Sequence, residues 1–180
     1  SNSFSKAAGI NFSVSGMSYD ANGNILNMNQ KGWKLGGSVT MDSLAYGYNT
    51  NSNRLSYVND HTNDSTTMLG DFREFTNNTN QDYTYDGNGN MISDENKKIV
   101  SITYNHLNLP TEITLAPGSL EVGASRSVVY VYDAAGNKLK KTAQENFGVG
   151  AYKIVTTTYI NGQVYESLST QLGSDNYDDR

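Results

Sequence analysis

The sequence predicts an all-β protein made of consecutive antiparallel β-hairpins that form a curved, open sheet. Apolar and aromatic residues alternate with a period of two, most clearly over residues 128–132. Clusters of Asp, Asn and Gly separate these runs, and no segment keeps a helical period over ten residues. The spacing of runs and turns favours roughly ten to twelve strands.

Composition excludes several classes of protein. The 180-residue chain has a net charge of −5, which argues against a nucleic-acid-binding protein. No apolar run reaches the roughly 18 residues of a membrane span. The absence of Cys excludes a disulfide framework, a Cys-ligated metal and a Cys nucleophile. The 13 Tyr, set among alternating Val and Ile, argue against disorder of the whole chain.

A short pattern recurs along the chain and defines the repeat. It consists of an aromatic anchor, an Asp or Asn turn, and an apolar residue that restarts the alternation. Clear copies occupy residues 17–26, 83–92 and 130–139, and weaker ones occupy 46–55, 102–110 and 157–164. The irregular period, centred on about 20 to 30 residues, is typical of repeat arrays. The predicted anchors are Tyr19, Tyr48, Tyr85, Tyr104, Tyr132 and Tyr159.

The residues after each anchor predict a tight connection. Asp and Asn side chains accept hydrogen bonds from nearby backbone groups, and Gly adopts positive φ without steric cost. We therefore expect positive φ at Gly23, Gly89 and Gly136, and a two-residue type I′ turn at 161–162. The predicted turn residues are Asp20, Gly23, Asn24, Asp86, Gly89, Asn90, Asp133, Gly136, Asn137, Asn161 and Gly162.

The remaining segments are assigned in chain order. Residues 1–15 are predicted as an N-terminal strand or a disordered tag or linker, 16–168 as the β-array, and 169–180 as a polar tail. Residues 58–82, rich in Asn, Asp and Thr, predict a long loop with one short strand. The last hairpin, 153–168, carries strong β-formers and one acid, so we expect another strand to cover its edge.

Two of the turns resemble half of a calcium-binding loop. Residues 20–24 and 86–90 both have the pattern Asp-x-Asn-x-Asn. An EF-hand loop also needs Gly at position six and Glu at position twelve. This chain has Ile25 or Met91, and Lys31 or Lys97, at those positions. The sequence therefore favours side-chain-stabilised turns over calcium, and chelation by EDTA is expected to leave the melting temperature unchanged.

The sequence predicts no catalytic residue, cofactor or metal. His61 lies in a polar loop and His106 in a turn, without a neighbouring ligand pair for zinc. A Ser-His-Asp triad stays open because its members need not be close in sequence, although no Gly-x-Ser-x-Gly elbow supports one. The Asp residues of the repeat recur, whereas an active site occurs once, so they are interpreted as turn formers.

The tyrosines allow two interpretations. They either bury area between neighbouring hairpins and hydrogen-bond through their hydroxyl groups, or present ring faces on which sugars stack. The first is favoured, because such contacts join repeats without a thick core. The candidates for glycan stacking are Trp33, Tyr83 and Tyr130.

The pattern Tyr-Asp-x-x-Gly-Asn resembles the YD repeat of RHS proteins. Residues 17–31, 82–115, 129–141 and 157–166, with Tyr-Asn-His-Leu-Asn-Leu-Pro at 104–110, resemble the segment just upstream of the RHS core in secreted Bacteroidetes proteins. The resemblance implies a β-hairpin array that spirals into a shell, which in family members encloses a C-terminal toxin or effector. A chain of this length is too short to close a shell and has no toxin domain, so we expect an excised or remnant piece of wall.

The sequence thus predicts a non-enzymatic structural segment of a secreted or cell-surface bacterial protein. Its expected partners are neighbouring RHS repeats or the rest of a larger host protein, with a toxin or effector cargo or a surface glycan as further candidates. The alternative is an extracellular carbohydrate- or cell-surface-binding module that uses a tyrosine-rich sheet face.

Overall fold

A computed structural model describes residues 9–62, 70–74, 80–116, 125–147 and 150–171. These residues form twelve β-strands, and no helix occurs among them. Every strand pair with a defined register is antiparallel. The chain divides into two compact units, residues 1–84 and 85–180, which are described separately. The prediction of an all-β chain of antiparallel hairpins is confirmed.

The first unit holds a sheet with four strands among the described residues, in sequential order. The buried apolar side chains described in this sheet are Met41, Leu44 and Val58. Glycine allows close packing: the ring of Tyr57 lies over Gly47, its cross-strand partner, where a Cβ atom would collide with it. The strands are β1 (Val14–Tyr19), β2 (Ile25–Lys34), β3 (Gly37–Tyr48) and β4 (Leu55–Asp60).

The second sheet has eight described strands, also in sequential order. Its first strand, β5, spans the boundary between the units. At the other edge lies β12, whose nine residues are all exposed. The strands are β5 (Tyr83–Tyr85), β6 (Met91–Asp94), β7 (Ile99–Tyr104), β8 (Pro110–Leu115), β9 (Ser125–Tyr132), β10 (Lys138–Asn146), β11 (Tyr152–Ile160) and β12 (Gln163–Gln171).

The expectation of one continuous sheet is wrong, because two separate open sheets form. The break follows β4, and in the described part of the chain acidic side chains bind its outer edge. The backbone N–H of Val58 donates to Asp82 Oδ2 at 2.9 Å, and that of Asp60 donates to Glu74 Oε2 at 2.8 Å. The N–H of Asp82 in turn donates to the Ser56 carbonyl at 2.8 Å. Carboxylates thus take the place of a neighbouring strand along this edge.

The segment 58–82, predicted as a long loop, begins with strand residues. Residues 58–60 belong to β4 and are buried. Residues 63–69 and 75–79 lie outside the described part of the chain. The outer limits of the array also differ, since β1 begins at Val14 and β12 ends at Gln171. Residues 1–8 and 172–180, which include most of the predicted tail, lie outside the described residues.

The first strand of each hairpin ends at its predicted anchor tyrosine or one residue after it. Five anchors are the last residues of β1, β3, β5, β7 and β9, and Tyr159 is the penultimate residue of β11. The φ angles of Gly23, Gly89 and Gly136 are 85°, 92° and 87°, which confirms the positive φ predicted there. Asn161 and Gly162 have φ of 48° and 79°, as a type I′ turn requires.

Candidate functional site

The repeated turn is held by one carboxylate that accepts three hydrogen bonds. In the copy at Asp133, Oδ1 accepts the backbone N–H of Ala135 at 2.9 Å and of Asn137 at 2.8 Å. Oδ2 accepts the side-chain amide of Asn137 at 2.8 Å. The N–H of Gly136 donates to the Asp133 carbonyl at 3.1 Å. The copies at Asp20 and Asp86 repeat this pattern to within about 0.1 Å.

These contacts lower the pKa of each turn carboxyl below its ordinary value. The largest cause is the side-chain amide of the Asn four residues later, and backbone N–H groups add to it. Both oxygens of each carboxylate therefore serve the turn. Asn105 makes the same backbone contacts with Oδ1, to the N–H groups of Leu107 and Leu109 at 2.9 and 3.0 Å. An amide oxygen is thus sufficient for the backbone part of the cap.

Neighbouring turns are joined by asparagine side chains. Asn53 Oδ1 accepts the amide of Asn22 at 3.2 Å and that of Asn24 at 2.9 Å. The second unit repeats this arrangement at the same distances, with Asn108 as acceptor and Asn88 and Asn90 as donors. The turn asparagines therefore carry contacts between hairpins as well as within them.

Three anchor tyrosines bind the neighbouring hairpin through their hydroxyl groups. Each hydroxyl donates to the backbone carbonyl of the residue that begins the second strand of the preceding hairpin. The bonds run from Tyr48 to Ile25 at 2.9 Å, from Tyr104 to Met91 at 2.6 Å, and from Tyr132 to Pro110 at 2.9 Å. Burial, the largest cause, raises the pKa of all three hydroxyls, so each stays a donor at neutral pH.

The other anchors are placed differently. Tyr19 is 53% exposed, and its hydroxyl lies 3.6 Å from the sulfur of Met17. Tyr159 is half-buried opposite Val164. Tyr85 is half-buried at the end of β5.

The three candidates for glycan stacking are not equivalent. Tyr83 is only 6% exposed, so its ring face is closed to a sugar and this candidate is wrong. Trp33, on β2, is 46% exposed. Tyr130 is half-buried; its ring lies 6.2 Å from that of Tyr132, and Lys138 Nζ lies 4.6 Å from its centroid. An ammonium at that distance makes a cation–π contact with the ring.

A group of buried acids in the first unit was not predicted from the sequence. Asp42, Asp60 and Asp71 each place a carboxylate oxygen within 4.8 Å of the others. Burial, the largest cause, and the charges of Asp60 and Asp71 raise the pKa of Asp42. The only sequence feature that could have indicated this group was the Asp content of residues 58–82, a segment that the alternation pattern assigned to a loop.

The two histidines are both exposed. The backbone N–H of His61 donates to the Ser43 carbonyl at 3.0 Å, which continues the pairing of β3 and β4 by one residue. His106 lies in the turn that Asn105 caps. Among the described residues, the only group of three or more His, Cys, Asp or Glu with metal-binding spacing excludes both histidines.

Within the described residues, no helix has the length and hydropathy that crossing a membrane requires. No protein-family model, curated protein or solved structure matches the chain.

Proposed function

We propose that the chain is a non-enzymatic structural repeat segment of a secreted or cell-surface bacterial protein of the RHS type. In this role it forms part of a β-shell wall that, in family members, encloses a toxin or effector. The observation that carries the proposal is the hydrogen bond from an anchor tyrosine to the preceding hairpin, which occurs three times with the same donor and acceptor positions.

The recurring side chains of the repeat also contact neighbouring hairpins. The turn carboxylates hold their own turns, the asparagines join adjacent turns, and the tyrosine hydroxyls donate to a carbonyl of the preceding hairpin. A contact that recurs in three hairpins supports an extended assembly, because each of these hairpins brings its own link to the one before. The polar groups of these residues therefore stabilise the turns and the contacts between hairpins.

The exposed edge of the second sheet supports the presence of a lateral partner. All nine residues of β12 are exposed, including Val164 at 62% and Leu168 at 63%. Ile160 and Gln163 flank a two-residue turn and form a hydrogen-bonded pair. By alternation, the N–H of Leu168 then points away from β11. We propose that a strand of the host protein pairs with this edge.

Sedimentation velocity tests the edge pairing with the chain alone. Without its host, the wild-type chain is expected to self-associate through β12 as concentration rises. Leu168→Pro removes an outward N–H and leaves the β11 ladder in place, so it should stay monomeric with an unchanged circular dichroism spectrum. Leu168→Ala is the matched control, since it shortens the side chain but keeps the N–H, and it should still associate. A wild-type chain that stays monomeric at its highest soluble concentration would argue against the wall role.

The exposure of Trp33 favours a second candidate, a carbohydrate- or cell-surface-binding module. An indole ring that is 46% exposed on a strand offers a face on which a sugar can stack. Glycan-array and cell-wall pull-down measurements distinguish the two roles. A signal that Trp33→Ala abolishes and Tyr165→Ala retains would favour the binding module, and the wall role predicts no signal.

A further inference from the structure

Three separate elements of the first unit bring carboxylates together in its interior. Asp42 belongs to β3, Asp60 to β4, and Asp71 to the segment that follows β4. Asp42 is 4% exposed, Asp60 is fully buried, and Asp71 is half-buried. One oxygen from each lies within 4.8 Å of the other two. Like charges at this distance repel, so burying them together needs a compensating positive charge.

The hydrogen bonds of Asp60 leave one of its oxygens unused. Oδ1 accepts the backbone N–H of Ser43 at 2.8 Å, the N–H of Thr62 at 3.0 Å and the hydroxyl of Thr62 at 2.9 Å. Oδ2 is buried and has no hydrogen-bond donor within the described part of the chain. Buried carboxylate oxygens are nearly always paired, so an orphaned one in a native fold is a position that a bound ion or an ordered water fills.

Backbone contacts also hold Asp42 and the segment that carries Asp71 in place before any ligand binds. The N–H of Phe72 donates to Asp42 Oδ1 at 2.7 Å, which fixes the segment that carries Asp71 against β3. The N–H of Asp60 donates to Glu74 Oε2 at 2.8 Å, which fixes the same segment against β4. Asp42 and Asp60 are therefore each oriented by backbone contacts to one oxygen, Oδ1.

We propose that Asp42, Asp60 and Asp71 bind a calcium ion in the first unit. All three donors are hard carboxylate oxygens, which suit Ca²⁺ or Mg²⁺ rather than a metal that prefers sulfur or imidazole. The three oxygens lie within 4.8 Å of one another, so one cation can contact all three. Ca²⁺ accepts several carboxylates in a flexible geometry, whereas Mg²⁺ keeps most of its waters and usually takes only one or two carboxylates, so a group of three favours Ca²⁺. The partial exposure of Asp71 admits the waters that complete the coordination shell.

The site differs from the calcium-like motifs of the repeat. The carboxylates of Asp20 and Asp86 are occupied by their own turns through both oxygens. The buried acids have no motif spacing, because they come from residues 18 and 11 positions apart, as counted from their numbers. The proposal reverses the expectation that EDTA leaves the melting temperature unchanged, and it does not depend on the wall function.

Thermal unfolding of the full chain tests the site. After treatment with EDTA and removal of the chelator, millimolar Ca²⁺ should raise the melting temperature by about 5 °C or more, and Mg²⁺ should raise it less. Asp71→Asn should abolish the response to Ca²⁺. Asp20→Asn is the matched control, because an amide oxygen caps the equivalent turn at Asn105, and it should respond as the wild type does.

Calorimetric titration of the wild-type chain with CaCl₂ gives a second measurement that needs no variant. One ion per chain is expected. The proposal is overturned if the wild type neither binds Ca²⁺ nor is stabilised by it, if Asp71→Asn responds as strongly as the wild type, or if the response disappears in Asp20→Asn instead.

Discussion

Removal of a single tyrosine hydroxyl tests the contact on which the repeat depends. In Tyr104→Phe the ring and its packing stay, and only the 2.6 Å hydrogen bond to the Met91 carbonyl is lost. A neutral intramolecular hydrogen bond contributes about 0.5 to 1.5 kcal/mol net. Tyr104 and Met91 are both half-buried, so water replaces the lost donor only in part. We therefore expect the free energy of unfolding to fall by about 1 kcal/mol.

Urea denaturation followed by circular dichroism measures this loss. The midpoint should fall by about 0.5 to 1 M at an unchanged m-value. The control is Tyr165→Phe, because Tyr165 is 54% exposed and its hydroxyl contacts only the side chain of Gln163. A change within about 0.5 kcal/mol is expected there. Equal effects of the two substitutions would refute the claim that the hydroxyl bond joins the hairpins.

The remaining predictions concern the turns. Gly136→Ala should destabilise the fold by more than Gly162→Ala. Both substitutions replace a Gly with φ near +80°, at about 1 kcal/mol of backbone strain or more, but only Gly136→Ala places a Cβ atom 3.1 Å from the side chain of Leu109. Equal urea midpoints for the two variants would contradict this prediction. The pKa of Asp133 is lower in the folded than in the unfolded state, so its carboxylate stabilises the fold above the unfolded pKa of about 3.9, and this stabilisation is lost as the pH falls from about 5. Between about pH 5 and 3.9 the melting temperature of Asp133→Asn should therefore fall less steeply than that of the wild type. Parallel curves for the two proteins would contradict this prediction. Asn53→Ala should lower the free energy of unfolding by about 1 kcal/mol by urea titration, since the amides of Asn22 and Asn24 lose their acceptor, and an unchanged midpoint would show that water replaces it fully.

The turns were predictable because their determinants are local. Asp133, Gly136 and Asn137 contain the acceptor, the positive-φ residue and the amide donor within five positions, and the structure uses each as the pattern indicates. The alternation before the turn likewise depends only on neighbours in sequence. Anchors, turns and strand order could therefore be derived without knowledge of the tertiary fold.

The acids around β4 were not predictable, because their roles depend on contacts between distant positions. Glu74 accepts from a backbone group 14 residues away, and Asp82 from one 24 residues away. In the sequence, such residues look like the polar content of an ordinary loop. The same limit applies to Tyr83, which shares its pattern with exposed tyrosines and is nevertheless buried. Burial depends on how the whole unit packs, so the residue type at a single position does not reveal it.

The hydroxyl bonds of the tyrosines also give the array a direction. In each of the three cases the donor lies in the later hairpin and the acceptor in the earlier one. Each of these hairpins therefore needs its predecessor to satisfy its tyrosine, and the predecessor offers the first carbonyl of its second strand. Because the link involves only adjacent members, whole hairpins can be duplicated or deleted without breaking any bond elsewhere. Variation in length among chains of this type should accordingly come in steps of one complete hairpin, with the interiors of the hairpins unchanged.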